Sequence, residues 1–255
     1  MKTLTETILT GPIPRAEVPG WREKYGVVAG ITRKPYDLGL WNTNPVGDVS
    51  IRWREFRRAE AGFSTYVLGN QVHGTEVAHS RQPTADAPRS SMITMEGVDG
   101  HVTADRGTML CVTVADCTPV YLLALDRASE RPLSVSLLHA GWRGTAAGIL
   151  KKGVELLRER AHAPVRLCAH LGVSICGDCY QVGPEVFEAM GLPRPSSPDG
   201  KGQLDVRAVL AKQATGLGIE EVTVSGHCSR HGEGWYSHRG GDAGRMVAYL
   251  GALSP

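Results

Sequence analysis

The sequence lacks any apolar run that approaches the roughly 18 residues needed to span a bilayer. Its first residues contain one lysine, but Thr5, Glu6 and the Gly11-Pro12 pair interrupt them before the apolar core of a secretory signal can form. We therefore expect no membrane partner and a cytoplasmic location, where cysteine thiols stay reduced.

The sequence also lacks an excess of charge of one sign, because 28 lysines and arginines stand against 26 aspartates and glutamates. No basic run stands apart from neighbouring acids, so nothing indicates a nucleic-acid partner. No repeat with a period of 20–50 residues is visible, which excludes solenoids and propellers. Six cysteines in 255 residues are too few for a disulfide scaffold and are better considered as metal ligands, nucleophiles or core residues.

What the chain has is the balance of an ordinary globular protein, with 42% hydrophobic and 21% charged residues. The 31 glycines and 15 prolines indicate many tight turns and short connections. No segment is long and polar enough to serve as an evident linker, so we expect residues 1–255 to form a single domain.

The hydrophobic pattern predicts more strands than helices. We expect helices over 149–161, with Thr145 as the N-cap, and over 184–190 and 204–217. We expect the first 60 residues to be irregular and residues 80–92 to form a polar surface loop. Apolar β-rich runs predict the strands, which lie at 66–68, 109–114, 120–125, 133–138, 165–173 and 221–224. Because strands and helices do not alternate strictly, we predict an α+β fold with a mixed β-sheet core flanked by helices.

Three residues suited to metal binding lie where predicted strands end: His73, Cys117 and His139. A rigid strand that gives way to a loop can direct such side chains to a common point. Two imidazoles and a thiolate make the three-ligand set of a catalytic zinc site, whose fourth position stays open, and copper is the alternative metal. Spacing alone is weak evidence, because a single histidine or cysteine at a strand end is more often a core or turn residue.

A second set of possible ligands is Cys176-x-x-Cys179 with His227-x-x-x-His231, which has the internal spacings of a Cys₂His₂ zinc site. The two halves are far more distant than a zinc finger allows. The pattern therefore favours a turn cysteine and a strand-edge cysteine over a second metal site.

Several sequence blocks resemble the signature of the laccase-domain (YfiH-like) family, whose members are named polyphenol oxidase, purine nucleoside phosphorylase or peptidoglycan editing factor. The resemblance runs from about residue 66 to the C-terminus. Its main blocks are Gln-Val-His-Gly at 71–74, Val-Ala-Asp-Cys-Thr-Pro-Val at 114–120 and His-Ala-Gly-Trp-Arg-Gly at 139–144, with further matches at 98–105, 179–183 and 237–245.

The resemblance implies an α+β fold in which His73, Cys117 and His139 bind zinc, with copper claimed for the oxidase activity. It also implies phosphorolysis of adenosine, inosine and methylthioadenosine, together with adenosine deamination. The chain departs from the family pattern at His101, where relatives usually have leucine, and this difference bears on substrate specificity more than on metal binding.

Phosphorolysis requires an anion site, and Gly141-Trp142-Arg143-Gly144 leads directly into a predicted helix, whose N-terminus favours phosphate. We expect Arg143 to bind phosphate, with Arg239 as the second choice, although Arg143 could instead form a structural ion pair. Asp116, beside Cys117, could act in catalysis by orienting a nucleophile or leaving base, or could equally fix its loop by accepting backbone amides.

The expected partner is a small molecule, a purine nucleoside with phosphate, and the chain is expected to be a monomer or homodimer. Three other functions remain open. They are a metal-free hydrolase with Cys117 as nucleophile and His139 as base, a copper-dependent polyphenol oxidase, and a peptidoglycan-precursor editing factor.

Overall fold

The structure is a computed structural model that describes residues 2–40, 45–81 and 91–254. Most of its strands belong to two seven-stranded sheets. Sheet I contains, in spatial order, β1 (Lys2–Thr3), β15 (Glu221–Val224), β12 (Val165–Leu171), β10 (Thr118–Asp126), β11 (Pro132–Ala140), β8 (Gly100–Thr103) and β6 (Val77–His79). Sheet II contains β2 (Thr7–Leu9), β3 (Arg15–Glu17), β4 (Val27–Thr32), β16 (Met246–Ala252), β9 (Thr108–Val114), β5 (Thr65–Asn70) and β7 (Ser91–Glu96).

The remaining elements are helices and a short ribbon. The ribbon pairs β13 (Gln181–Val182) with β14 (Gly202–Gln203). The helices are α1 (Trp21–Tyr25), α2 (Val46–Ala59), α3 (Trp142–Ala146), α4 (Ile149–Ala161), α5 (Pro184–Ala189) and α6 (Val206–Gly216). None of the helices in the described ranges combines the length and the apolar character needed to cross a bilayer.

Both sheets are mixed, which confirms the predicted α+β class. In sheet I, β10 is antiparallel to β11 and β12, while β12 is parallel to β15. In sheet II, β16 is antiparallel to β4 and β9, whereas β5 is parallel to both β7 and β9. The sequence pattern predicted a mixed sheet but did not indicate that the strands divide into two.

The two sheets pack face to face, with helices on their outer faces. Because successive strand residues point to opposite faces, Leu110 and Val112 of β9 join Tyr121 and Leu123 of β10 in the core between the sheets. The alternate residues of β10 pack against α4 and α6, and those of β9 pack against α2. The result is a four-layer arrangement of helix, sheet, sheet and helix.

The expectation that the first 60 residues are irregular was wrong, since they contain β4 and α2. All six residues of β4 are buried, but Gly30 interrupts the apolar pattern of its sequence. The buried stripe of α2 consists of Val49, Trp53 and Phe56, at spacings of four and three residues, and it alternates with arginines that obscure it. Residues 82–90 of the expected surface loop lie outside the described residues, and the loop's last residues belong to β7.

The expected N-cap at Thr145 was also wrong. Thr145 is buried inside the five-residue helix α3. The longer helix α4 begins at Ile149 and is preceded by Gly148, whose φ of 90° is left-handed and separates the two helices.

Three connections pass from sheet II to sheet I, and together they define what we call the crossing edge. They run from β5 to β6 (residues 71–76), from β7 to β8 (97–99) and from β9 to β10 (115–117). Because β7, β5 and β9 are neighbouring parallel strands, their carboxyl ends lie at the same edge of sheet II. Side chains from these three connections therefore lie close together.

Candidate active site

The structure brings His73, Cys117 and His139 together at the crossing edge. Their ligand atoms all lie within 4.8 Å of one another. His73 lies in the first crossing and Cys117 in the third, while His139 is the penultimate residue of β11 in sheet I. The two imidazole rings lie edge to face, with centroids 4.8 Å apart. Side chains that are at least 22 positions apart in sequence thus share one small volume.

Asp99, the last residue of the second crossing, connects the first crossing to β11. Its carboxylate is fully buried and receives the backbone N–H groups of His73 and Gly74 at 2.9 and 2.7 Å. It also lies 2.9 Å from Nδ1 of His139. Burial opposes ionisation, but the hydrogen bonds from His139 and Gly74 outweigh it and lower the pKa of Asp99. With Nδ1 held by Asp99, Nε2 of His139 is free to act as a ligand.

The electrostatics of Cys117 and His139 are coupled. Burial raises the pKa of Cys117, but attraction and hydrogen bonding to His139 and His73 lower it to about 6. Burial disfavours the charged form of His139, while Cys117 and Asp99 raise its pKa to about 9. Cys117 is therefore a thiolate near neutral pH, and the thiolate is the form of cysteine that binds metals and attacks as a nucleophile.

The backbone around the site is shaped to bring these side chains together. His73 and Asp116 have positive φ angles of 61° and 87°, which non-glycine residues rarely adopt and which cluster at functional sites. Gly141 allows a close approach, because a Cβ built there would lie 3.0 Å from Sγ of Cys117 and 3.2 Å from the ring of His73.

The three side chains open into a cavity of about 640 Å³, a volume that fits a small organic ligand. Tyr180 forms part of the cavity wall together with residues of the connection from β15 to β16. Among the residues that line the cavity are Gln71, Trp142, Arg143, Tyr180, His238 and Arg239.

The two arginines expected to bind phosphate both line this cavity. The guanidinium of Arg143 lies over the ring of Trp142, 4.5 Å from its centroid, and that of Arg239 lies over Tyr180 at 4.9 Å. Within the described residues no carboxylate lies in ion-pair distance of Arg143, which disfavours the alternative structural role. The expected anion site at a helix N-terminus is weaker than the sequence indicated, because α3 is only five residues long.

Asp116 uses both carboxylate oxygens to hold loops. Oδ1 accepts a hydrogen bond from the hydroxyl of Ser229, and Oδ2 accepts one from the backbone N–H of Arg239, both at 2.6 Å. Its own carbonyl accepts the N–H of Ile175 at 3.0 Å. Of the two roles that the sequence left open, these contacts favour the fixing of loops that carry cavity residues.

His101 lies away from the cavity. It is fully buried on β8, opposite Leu137 in β11, and Leu137 belongs to the core between the sheets. Directly paired strand residues share a face, so His101 faces that core as well. Its Nδ1 lies 3.3 Å from the hydroxyl of Ser80, and burial lowers its pKa to about 4.

Sequence reasoning assigned no role to Asp99 or Gln71. Gln71 forms two hydrogen bonds with the backbone of Thr113, at 2.8 and 2.7 Å, and so ties the first crossing to the end of β9. Asp99 was visible only as part of a family motif, and a single aspartate after a valine gives no sign that the first crossing and His139 both contact it.

Residues 26–252 match the family described as multi-copper polyphenol oxidoreductase laccase. A purine nucleoside phosphorylase of Streptomyces coelicolor is 30% identical over 240 residues, covering 91% of this chain and 93% of that protein. An adenosine deaminase from an unknown prokaryotic organism is 32% identical over 202 residues, covering 72% of this chain and 75% of that protein.

The fold is also similar to a solved structure. The crystal structure of YlmD from Geobacillus stearothermophilus superposes with a TM-score of 0.82 at 27% sequence identity. The superposition covers 98% of this chain and all of that one.

Proposed function

We propose, on the premise that this chain belongs to the multi-copper polyphenol oxidoreductase laccase family, that it is a zinc-dependent purine nucleoside enzyme. The proposed reactions are phosphorolysis of adenosine, inosine and methylthioadenosine to free base and sugar 1-phosphate, and deamination of adenosine. The observation that carries the proposal is one thiolate and two imidazoles within 4.8 Å of one another beneath a cavity that two arginines line.

The donor set fits a catalytic zinc ion. Three protein ligands leave one position for substrate or water, and thiolate with imidazole suits zinc and copper alike. His139, whose Nδ1 is held by the buried Asp99, has the second partner that metal-binding histidines usually have. A zinc ion bound by His73, Cys117 and His139 would supply Lewis acidity and the activation of water near neutral pH.

In phosphorolysis, an oxygen of phosphate attacks C1′ of the ribose, the C1′–N9 bond breaks, and its electron pair leaves with the protonated purine. The residues of this chain act by binding and positioning. Arg143 and Arg239 offer guanidinium groups that can each donate two hydrogen bonds to phosphate. Asp116 acts as a positioning residue, since it holds the backbone N–H of Arg239.

Deamination replaces the amine at C6 of adenine with oxygen from water and releases ammonia. Here Cys117 is held as a thiolate, and His139 is held in a fixed orientation by Asp99. Both side chains can therefore act as ligands to the same metal ion. The cavity walls would limit access of bulk water and hold the purine, as ligand sites of this size commonly do.

The test is incubation of the purified protein with inosine and phosphate, with metal content measured in parallel. We expect hypoxanthine and ribose 1-phosphate from the wild-type protein, and loss of activity and of the zinc ion held at this site in Cys117→Ser. Cys168→Ser, a buried cysteine on β12 that lies outside the cavity lining, is the matched control and should keep both. Absence of product from zinc-loaded wild-type protein would refute the proposal, and activity only after copper loading would favour phenol oxidation.

A second candidate function follows from the Cys117–His139–Asp99 arrangement, which is that of a cysteine nucleophile, its base and an orienting carboxylate. In such a hydrolase Sγ of Cys117 attacks a carbonyl carbon and His139 protonates the leaving group. Water, deprotonated by His139, then hydrolyses the resulting thioester and frees Cys117. A substrate-derived covalent adduct at Cys117 in metal-free, active protein would support the hydrolase. Loss of activity on metal removal, restored by zinc, would contradict it.

We further propose that residues 1–255 form one laccase-type domain that acts on small molecules in the cytoplasm as a monomer or homodimer. The continuous family match over residues 26–252 supports the single domain. Light scattering of the purified protein at several concentrations measures the oligomeric state.

A further inference from the structure

A second group of metal-binding side chains lies outside the cavity. Cys176, Cys179, Cys228 and His231 place their ligand atoms within 4.8 Å of one another, and we call this group the Cys₃His cluster. The sequence spacing had pointed to His227 as a partner of Cys176 and Cys179. The structure instead brings in the adjacent Cys228, and the ring of His227 packs against Trp235.

We propose that the Cys₃His cluster is a structural zinc site, separate from the site at Cys117. Three thiolates and one imidazole form one of the four-ligand sets that hold structural zinc, and such sites keep no open position. All four donors come from the protein, so the cluster is suited to stability and not to catalysis.

The spacing of the ligands supports a tetrahedral ion. Nδ1 of His231 lies 3.8 Å from Sγ of Cys176 and 3.3 Å from Sγ of Cys179. With zinc–sulfur bonds of about 2.3 Å and zinc–nitrogen bonds of about 2.0 Å, tetrahedral geometry separates such atoms by roughly 3.5 Å. The distance from His231 to Cys176 is slightly longer than this value, and the distance from His231 to Cys179 is slightly shorter.

The backbone at the cluster consists of two similar turns, over residues 176–179 and 228–231, each with ligands at its first and fourth positions. In each turn the backbone N–H of the fourth residue is directed at the sulfur of the first. The sulfur of Cys228 also accepts the backbone N–H of Cys176 at 3.4 Å.

The cluster joins two segments that contribute to the cavity. The segment after β12 carries the first turn and then Tyr180, and the connection from β15 to β16 carries the second turn and then Arg239. These segments are also joined by the pairing of Ser174 with Cys228 and by the stacking of Arg239 on Tyr180. Arg230 donates a hydrogen bond to the carbonyl of Cys179, and Arg239 donates one to the carbonyl of Gln181. Zinc bound here would hold both segments, and through them the cavity wall opposite the crossing edge.

Native mass spectrometry of the unaltered chain, purified from zinc-containing medium, counts bound ions without any substitution. We expect two zinc ions per chain, one of which is lost in Cys117→Ala. In that Cys117→Ala background, His231→Ala should lose the remaining ion, while the matched control His227→Ala should keep it. Because His231 is exposed, this variant avoids the folding risk of replacing the buried Cys228.

Cobalt provides an independent readout. Cys117→Ala loaded with one Co²⁺ should show tetrahedral d–d bands and thiolate-to-cobalt charge transfer, and alkylation of Cys176, Cys179 and Cys228 should be blocked until the metal is removed. No metal in Cys117→Ala, equal metal in the two histidine variants, or a disulfide among these cysteines would overturn the proposal. Because the assay counts ions in Cys117→Ala, its outcome is independent of whether the cavity acts on nucleosides.

Discussion

Asp99 is the residue on which the geometry of the candidate active site most depends. Its buried carboxylate holds the imidazole of His139 and two backbone amides of the segment that carries His73. A residue that contacts neither substrate nor metal can therefore set the positions of two of the three ligands.

We predict that Asp99→Asn lowers zinc affinity about 10- to 100-fold, because loss of the carboxylate partner of a ligating histidine typically costs that much. A competition titration against a zinc chelator measures the change. Asp126→Asn is the control and should leave affinity unchanged, because the half-buried carboxylate of Asp126 accepts hydrogen bonds from Ala128 and Ser129 in its own turn. Equal affinities for wild type and Asp99→Asn would show that the carboxylate does not orient a ligand.

Arg143 gives a second prediction at this scale. Arg143→Lys keeps the positive charge but removes the planar guanidinium group, which can donate two hydrogen bonds to one phosphate. The KM for phosphate should therefore rise while the protein remains folded. Loss of charge-assisted hydrogen bonds worth about 1.5–3 kcal/mol corresponds to roughly a 10- to 150-fold rise in KM. Steady-state kinetics with varied phosphate at saturating inosine measure it.

The comparison for this prediction is Arg127→Lys, since Arg127 is exposed and pairs with Glu220. It should not change the KM for phosphate. If Arg143→Lys altered the KM for inosine but not for phosphate, Arg143 would belong to the nucleoside site instead.

At the scale of elements, the site depends on three parallel strands that end at one edge. The strands at 109–114 and 120–125 were predictable, because continuous apolar residues indicate a strand buried on both faces. The end of the strand at 109–114 identified Cys117 as a candidate ligand, and the end of the strand at 133–138 identified His139. What the sequence could not indicate was the pairing of β5 with β7 and β9, which depends on contacts between distant segments.

The elements that sequence reasoning missed have a common physical cause. In α2 the arginines between the buried positions lower the apparent hydrophobicity of the segment, although Trp53 and Phe56 are fully covered by sheet II. In the connection from β15 to β16, Cys228 was overlooked because the neighbouring His227 and His231 formed a familiar spacing. Periodicity identifies one face of an element but not which element covers it.

Gly141 tests how closely the start of α3 must approach the ligands. Gly141→Ala fits the backbone, whose φ is −76°, but its Cβ would lie 3.0 Å from Sγ of Cys117. We expect Cys117 or His73 to be displaced by a few tenths of an ångström and activity to fall about 10- to 100-fold, with little change in melting temperature. Activity assays together with thermal denaturation measure both effects.

Gly216→Ala is the matched control, because a Cβ at that helical position meets nothing within 4 Å. It should keep full activity and should stabilise the protein by about 0.5–1 kcal/mol. An active, zinc-binding Gly141→Ala protein would show that the site tolerates displacement of its ligands.

At the scale of the whole molecule, a buried contact between Glu6 and His170 attaches the N-terminal segment to sheet I. Glu6 lies 3.1 Å from Nε2 of His170 in β12 and accepts a hydrogen bond from Ser225. Burial raises the pKa of Glu6, but the contacts with His170 and Ser225 outweigh it, so the pKa is lower than in the unfolded chain. The stabilisation is therefore fully present above the unfolded pKa of about 4.3 and is lost as the pH falls through the folded value.

We predict that Glu6→Gln lowers the free energy of unfolding by about 1.5–3 kcal/mol at pH 7, because it removes charge-assisted hydrogen bonds. The difference from wild type should shrink as the pH falls below about 4.3, where Glu6 becomes protonated in the unfolded chain, and should vanish below the lower pKa of the folded protein. Urea denaturation at a series of pH values measures this. Glu188→Gln, which breaks an exposed pair with Arg194, should have almost no effect at any pH. A difference in unfolding free energy between Glu6→Gln and wild type that does not change with pH would refute this role of Glu6.

The crossing edge has a consequence for how the molecule matures. His73 and Cys117 lie where the chain leaves sheet II, and His139 belongs to sheet I. A folding intermediate in which only one sheet has formed would lack a complete ligand set and could not bind the metal ion at this site. Metal binding at the crossing edge would therefore occur only after the two sheets have packed against each other.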